Sequence, residues 1–170
     1  MEIKDNFLSE REFTELQKNI MGPYFPWYYN EFIAYENDES EHSYQLVHIF
    51  CNNGEINSDL FNILEPIWEV INPKEIIRAK VNLGPRKSTT EHHEGGWHTD
   101  FTEIPEEVKN LTTAVFYLNN NNGYTLFEDG TKVESVENRF ASFPTLTPHT
   151  AVSQTDSKIR VVLNLNYISH

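Results

Sequence analysis

The sequence predicts an α+β protein, mainly β, in which a sandwich or rolled β-core carries helices on its outside. Three observations lead there. Apolar residues recur at helical spacing in two N-terminal segments and change to strict alternation from Ile76 to the C-terminus. The alternating part is cut into short runs by turn dipeptides, Asn122-Gly123 and Asp129-Gly130 among them. At 170 residues, with 38% hydrophobic and 13% aromatic content, the chain has the size of one domain and enough apolar surface for a core. No repeat, low-complexity tract or linker divides it. Residues 1–170 are therefore expected to form one domain, with helical support over about 1–75 and the β-core over about 76–170.

Each element has a local cause. Ser9 and Glu12 have the spacing of a capping box, and Leu8 with Phe13 that of a hydrophobic staple, so a helix begins after Ser9. Phe13, Leu16 and Ile20 form its apolar face, and Gly22-Pro23 ends it. Residues 26–29 (Pro-Trp-Tyr-Tyr) read as an aromatic extended segment, 36–41 as a polar loop, and 44–50 as a strand. A second helix is expected from Ser58, with Leu60, Ile63, Leu64, Ile67, Trp68 and Ile71 on one face. Pro66 inside that pattern should kink or split it, because proline lacks the N–H a helix needs. Beyond it, Ile77, Ala79, Val81 and Leu83 alternate with Arg78, Lys80 and Asn82. Further strands are expected over 112–118, 124–128, 139–143 and 159–168.

The formal net charge of −13 comes from scattered acidic residues, which fits a solvated surface. Without a basic patch to neutralise phosphates, neither nucleic acid nor an anionic membrane is an expected partner. The single cysteine, Cys51, excludes an internal disulfide and a multi-cysteine zinc site, and reads as a small buried hydrophobe. The N-terminal MEIKDNFLSE lacks the apolar run of a signal peptide, and no stretch is long enough to cross a bilayer. The expectation is a soluble, cytoplasmic protein.

The segment with chemical content is Gly95-Gly96-Trp97-His98-Thr99-Asp100-Phe101. On a strand, residues two apart face the same side, so His98 and Asp100 can point at one ion while Trp97, Thr99 and Phe101 face away. A third ligand must come from elsewhere, and His149, in Thr147-Pro148-His149-Thr150, is the best candidate. Two imidazoles and one carboxylate on one octahedral face leave three positions open, which suits non-haem Fe(II) that activates O₂. A His-x-Asp triplet is common by chance, and context has to support it. Arg160 provides some, standing at the head of an alternating run through Val162, Asn164 and Asn166 that faces the β-core. Burying a guanidinium there is costly unless a carboxylate answers it.

These residues resemble the 2-oxoglutarate and Fe(II)-dependent oxygenases of the double-stranded β-helix fold, a cupin-like jelly roll. The resemblance is to the prolyl 4-hydroxylase-like branch, including its short phage-encoded members. It covers about Ile76 to Ile168 and rests on His98-x-Asp100, Phe116-Tyr117-Leu118-Asn119, Gly123-Tyr124-Thr125-Leu126-Phe127, His149 and Arg160. It implies that His98, Asp100 and His149 hold Fe(II) and that Arg160 and Tyr117 bind the far carboxylate of 2-oxoglutarate. Catalysis would rest on His98, Asp100, His149 and Arg160, with Asn82 and Asn164 as further cosubstrate contacts. The implied reaction hydroxylates a C–H bond with O₂ and releases succinate and CO₂, with ascorbate as a candidate reductant. A small molecule or peptide would be the substrate, peptidyl proline by default, and a phage-encoded member would act in the host cytoplasm. Asn122 stands where the branch's Gly-Gly-x-Thr-x-Phe has its first glycine, and the spacing from His149 to Arg160 is slightly longer than in some relatives.

Other residues read more plainly. The segment Glu91-His92-His93-Glu94 is a polar lid rather than a ligand set, since adjacent histidines diverge on a strand. Trp97, Phe101 and Phe127 read as core, and His42, His48 and His170 have no supporting context. Two other functions stay open. One is a cupin-type metal enzyme that does not use 2-oxoglutarate, which has no need of the Arg160 and Tyr117 pair. The other is a silent β-helix recognition domain, which has no need of three intact ligands.

Overall fold

In the computed structural model the described residues are 1–31, 44–88, 93–103 and 110–170. The expected polar loop at 36–41, His42, and Glu91 and His92 of the expected lid lie outside them, while His93 and Glu94 begin a strand. The elements run β1 (Glu2–Lys4), α1 (Glu10–Ile20), β2 (Tyr28–Asn30), β3 (Gln45–Asn52), β4 (Glu55–Ile56), α2 (Glu65–Ile71), β5 (Glu75–Pro85), β6 (His93–His98), β7 (Leu111–Tyr117), β8 (Tyr124–Phe127), β9 (Lys132–Glu134), β10 (Arg139–Pro144), β11 (His149–Val152) and β12 (Ile159–Ile168). A larger sheet has the order β1-β10-β7-β12-β5-β3-β2, with β4 on β3, and a smaller one the order β6-β11-β8-β9. All pairings are antiparallel. Two such sheets face to face make a jelly roll, as the sequence predicts.

Alternation decides what each sheet face meets. On β12, Val161, Leu163 and Leu165 join Ala79 and Val81 of β5, and Ala114 and Phe116 of β7, in the main core. Phe13, Leu16 and Ile20 of α1 and Ile67 of α2 close that core from outside. The opposite faces of β7 and β12 supply Val115, Tyr117 and Val162, which pack with Phe127, Val133, Ala141 and Phe143 between the sheets. Each buried aliphatic or aromatic side chain contributes about 1.5–3 kcal/mol, so the larger cluster dominates stability.

The capping box of α1 forms as expected: Ser9 Oγ accepts from the Glu12 N–H and Glu12 accepts from the Ser9 N–H. The second helical region begins later than Ser58. It opens as a short 3₁₀ turn, Phe61–Leu64, and becomes α2 with Pro66 in its first turn, where a missing N–H costs nothing. Residues 1–75, read as helical support, also supply β1 to β4. The eight-residue β3 extends the larger sheet beyond β5, because Leu46, His48 and Phe50 alternate toward the helices.

Candidate functional site

His98 ends β6 and His149 begins β11, and the two are direct cross-strand partners, so both imidazoles rise from one face. Their ring centroids are 4.6 Å apart. Reaching that pairing takes an irregularity: between His149 and Ala151, β6 spends the four steps from His98 to Glu94. Gly96, with φ +65°, turns the strand there, in a region where other residues are strained. Each Nδ1 faces a carbonyl two residues back, Gly96 O at 3.2 Å and Thr147 O at 3.0 Å. A carbonyl only accepts, so Nδ1 carries the hydrogen and Nε2 keeps a lone pair for a metal. Burial, then repulsion from His149, lowers the His98 pKa below its ordinary value, which favours the neutral ligand form.

Asp100 lies two residues past the end of β6, so it is not on the strand with His98 as the sequence suggested. It reaches the histidines because the larger sheet pulls it in. Thr113 of β7 donates to Oδ2 at 2.9 Å and Asn166 of β12 donates to the same oxygen at 2.8 Å. Arg78 of β5 pairs with Oδ1 at 2.8 Å, and its Nε donates to Asn166 Oδ1 at 2.8 Å, closing a ring. The Arg78 guanidinium also lies 5.8 Å from the Phe101 ring centre. Burial opposes ionisation of Asp100, but Arg78, then Asn166, His149 and Thr113, outweigh it and hold the carboxyl below its usual range. The ligand atoms of His98, Asp100 and His149 all lie within 4.8 Å of one another, a fit for one metal ion with two nitrogens and one oxygen. Two donors fill the lone pairs of Oδ2. Oδ1, with one donor among the described residues, retains a pair for a metal.

At the other end of the cavity Arg160 is 6% exposed. Its Nε donates to Ser135 Oγ at 2.9 Å and its Nη2 to Thr125 Oγ1 at 3.4 Å, while the guanidinium sits 5.7 Å from the Tyr117 ring centre. No described carboxylate pairs with it. Tyr117 is fully buried in the cluster between the sheets, its hydroxyl donating to Thr125 Oγ1 at 2.8 Å. Thr125 Oγ1, accepting from Tyr117 and Arg160, has its own hydrogen left for an anion. Gly123 makes room here, since a Cβ would lie 2.8 Å from Val152 O and 3.0 Å from Arg160 Cδ. Asn122, in place of the first glycine, ties the turn to residues 155–156 through bonds with Thr155 and Asp156.

One cavity joins the two ends. Arg78, Lys80, Asn82, His98, Asp100, Thr125, His149, Arg160, Val162 and Asn164 all line it. Asn82 Oδ1 is buried there without a hydrogen-bond partner among the described residues, a polar atom that a ligand could satisfy. Burial, then repulsion from Arg78, lowers Lys80 to about 8, against a smaller pull from Asp100. Sequence reasoning missed Arg78, Thr113, Thr125 and Ser135. Arg78 had a signal, a basic residue on the inward side of an alternating strand. Of Asn164 and Asn166, expected to share the face of Arg160 with at least one lining the pocket, Asn164 lines the cavity and Asn166 supports Asp100. Trp97, expected in the core, is 43% exposed, whereas Phe127 is buried beside Phe143 and His149. Cys51 is buried, and His48 bonds to Pro26 O and Ser58 Oγ, a structural role.

No protein-family model matches the sequence, and no curated protein matches it. Solved structures do. A prolyl hydroxylase from Trichoplax adhaerens, in complex with a hypoxia inducible factor oxygen degradation domain peptide, aligns at TM-score 0.65 and 13% identity, covering 98% of this chain and 82% of its own. The fold is that of the Fe(II)- and 2-oxoglutarate-dependent oxygenases. A prolyl-4-hydroxylase of Pseudomonas putida aligns at TM-score 0.54 and 14% identity, with 99% and 92% covered. A non-heme alpha ketoglutarate dependent carbocyclase from nogalamycin biosynthesis aligns at 0.62 and 14%, with 98% and 78% covered. The prolyl hydroxylases and the carbocyclase act differently, so the shared fold does not select a substrate. No described helix is long and apolar enough to cross a membrane.

Proposed function

We propose that this protein is a 2-oxoglutarate-dependent Fe(II) oxygenase that hydroxylates a C–H bond, releasing succinate and CO₂. One observation carries the reading: a two-histidine, one-carboxylate cluster and a buried arginine with no described carboxylate partner open into the same cavity. A cupin-type metal enzyme has use for the cluster but not for the arginine.

His98, Asp100 and His149 would hold the iron, and bound Fe(II) with 2-oxoglutarate would supply the oxidising chemistry with O₂. The chain's own residues prepare the site. The carbonyls of Gly96 and Thr147 fix the imidazole tautomers, and Arg78, Thr113 and Asn166 fix the carboxylate. Arg160 and the hydroxyl of Thr125 would bind the far carboxylate of the cosubstrate, and Val115 and Val162, which also line the cavity, would offer apolar contact to its carbon chain. Of the five guanidinium N–H groups of Arg160, two are taken by Ser135 and Thr125, and the rest have no acceptor among the described residues. Asn164 and Asn82 add polar contacts along the floor. Tyr117 acts through Thr125 and not by direct contact.

Peptidyl proline is the substrate we infer first, on the likeness to prolyl hydroxylases. The test is succinate release under air with Fe(II) and 2-oxoglutarate, with and without proline-containing peptides. Release that needs all three ligands and rises with a peptide supports the reading. No release, with or without peptide, contradicts it.

A further inference from the structure

The cavity contains more positive charge than its residues explain. Arg78, Lys80 and Arg160 all line it, and Asp100 is the only carboxylate among the described lining residues. Asp100 is already committed, with Oδ1 to Arg78 and Oδ2 to Thr113 and Asn166. Lys80 makes no hydrogen bond or ion pair to a described residue, yet it is largely buried. Holding an ammonium in such a place is unfavourable unless a partner arrives. Its depressed pKa of about 8 shows the same burden.

Register tells which partner. On β5 the inward residues run Arg78, Lys80, Asn82, Gly84, opposite Asn166, Asn164, Val162 and Arg160 of β12. Lys80 therefore lies one inward position from the arginine that holds Asp100, and two from the row of Arg160. At about 6.6 Å per inward position, the Cα rows of Lys80 and Arg160 are about 13 Å apart, and two long side chains close much of that gap. One cation sits beside the metal cluster and the other at the far wall, with Val162 and the unmet Asn82 Oδ1 between them.

We propose that Lys80 is a second cationic anchor of the cosubstrate and binds the carboxylate next to its keto carbon. A 2-oxo dicarboxylate is then held by a cation at each end. This rests on the proposed oxygenase reading, and it goes further by naming a residue that makes the site selective for dianions. Lys80 adds an affinity for the metal-side carboxylate that does not depend on the metal.

The test is calorimetric titration of 2-oxoglutarate, and of glutarate as a dicarboxylate without the keto group, into Mn(II)-loaded protein. Wild type is compared with Lys80→Met, Lys80→Arg and Arg160→Ala. A charged hydrogen bond is worth about 1.5–3 kcal/mol, so Lys80→Met should weaken 2-oxoglutarate binding by about 10- to 100-fold. Mn(II) affinity should stay within about twofold, a change of less than 0.5 kcal/mol, and Lys80→Arg should restore part of the loss. Glutarate should also bind more weakly to Lys80→Met. Methionine suits a buried site, so loss of folding is not the expected outcome. Unchanged 2-oxoglutarate affinity in Lys80→Met, with a large loss in Arg160→Ala, would overturn the proposal alone. If wild type binds no 2-oxoglutarate, or Arg160→Ala binds it unchanged, the oxygenase reading falls and the proposal falls with it.

Discussion

Asp100 shows how much of a metal site is built by residues that never touch the metal. Its carboxylate comes from the segment after β6, yet its orientation is set by three strands of the opposite sheet, through Arg78, Thr113 and Asn166. Loss of such supporting partners typically costs 10–100-fold in metal affinity, so Asn166→Leu and Arg78→Met should weaken Mn(II) binding by about that factor in a calorimetric titration. Asp100→Ala should abolish binding. Lys80 makes a prediction of opposite sign for the ligand-free protein. Below pH about 8 it is charged in both states, and burial penalises the folded one. Between about 8 and the ordinary 10.5, the unfolded chain keeps a proton that the folded chain has released, so folding stability rises with pH in that window. Lys80→Met should therefore be more stable than wild type at pH 7, by on the order of 3 kcal/mol at most. The difference should vanish above pH 10.5. Urea denaturation of both proteins at the two ends of the window checks it.

At the scale of elements, the turn before β8 has a direct effect on the far anchor. A Cβ at Gly123 would press on Val152 O and Arg160 Cδ, so Gly123→Ala should destabilise by about 1–3 kcal/mol and weaken 2-oxoglutarate binding while sparing Mn(II). Ser9→Ala removes only the cap of α1, far from the cavity. It should cost about 1 kcal/mol by thermal unfolding and leave both ligand affinities unchanged. The elements also show what a sequence can reveal. β5, β7 and β12 are seven to eleven residues long, enough for alternation to mark the strands and their inward faces despite an irregularity in β12 between Asn166 and Tyr167. The same alternation exposed Arg160 and Asn164 as cavity residues. In β6, β9 and β11 the runs are three to six residues long, and two of them carry the histidines. Too few apolar positions remain there to make a period, so His149 could be named as the third-ligand candidate but its cross-strand pairing with His98 could not be read. The clamp on Asp100 was hidden for a different reason. It joins residues 13 to 88 positions apart, and alternation reports which face a side chain takes, not which partner waits there.

For the whole molecule, the notable contrast is between a chain with net charge −13 and a cavity whose described lining carries three cations and one carboxylate. The double sheet makes that separation practicable, since strands bury one face and show the other. A ligand that binds only the folded state adds stability by mass action, about 2.7 kcal/mol at a hundredfold excess over Kd. Metal with a dicarboxylate should therefore raise Tm more than either alone, and Arg160→Ala should lose the dicarboxylate increment but keep the metal increment. The central claim is that the metal cluster and Arg160 together form one Fe(II) and 2-oxoglutarate site. Anaerobic titration of 2-oxoglutarate into the Fe(II)-loaded protein tests it most directly. Saturable binding of one 2-oxoglutarate per chain, lost in Arg160→Ala and in Asp100→Ala, is the predicted result. Binding that persists unchanged in Arg160→Ala, or no binding by wild type, would contradict it.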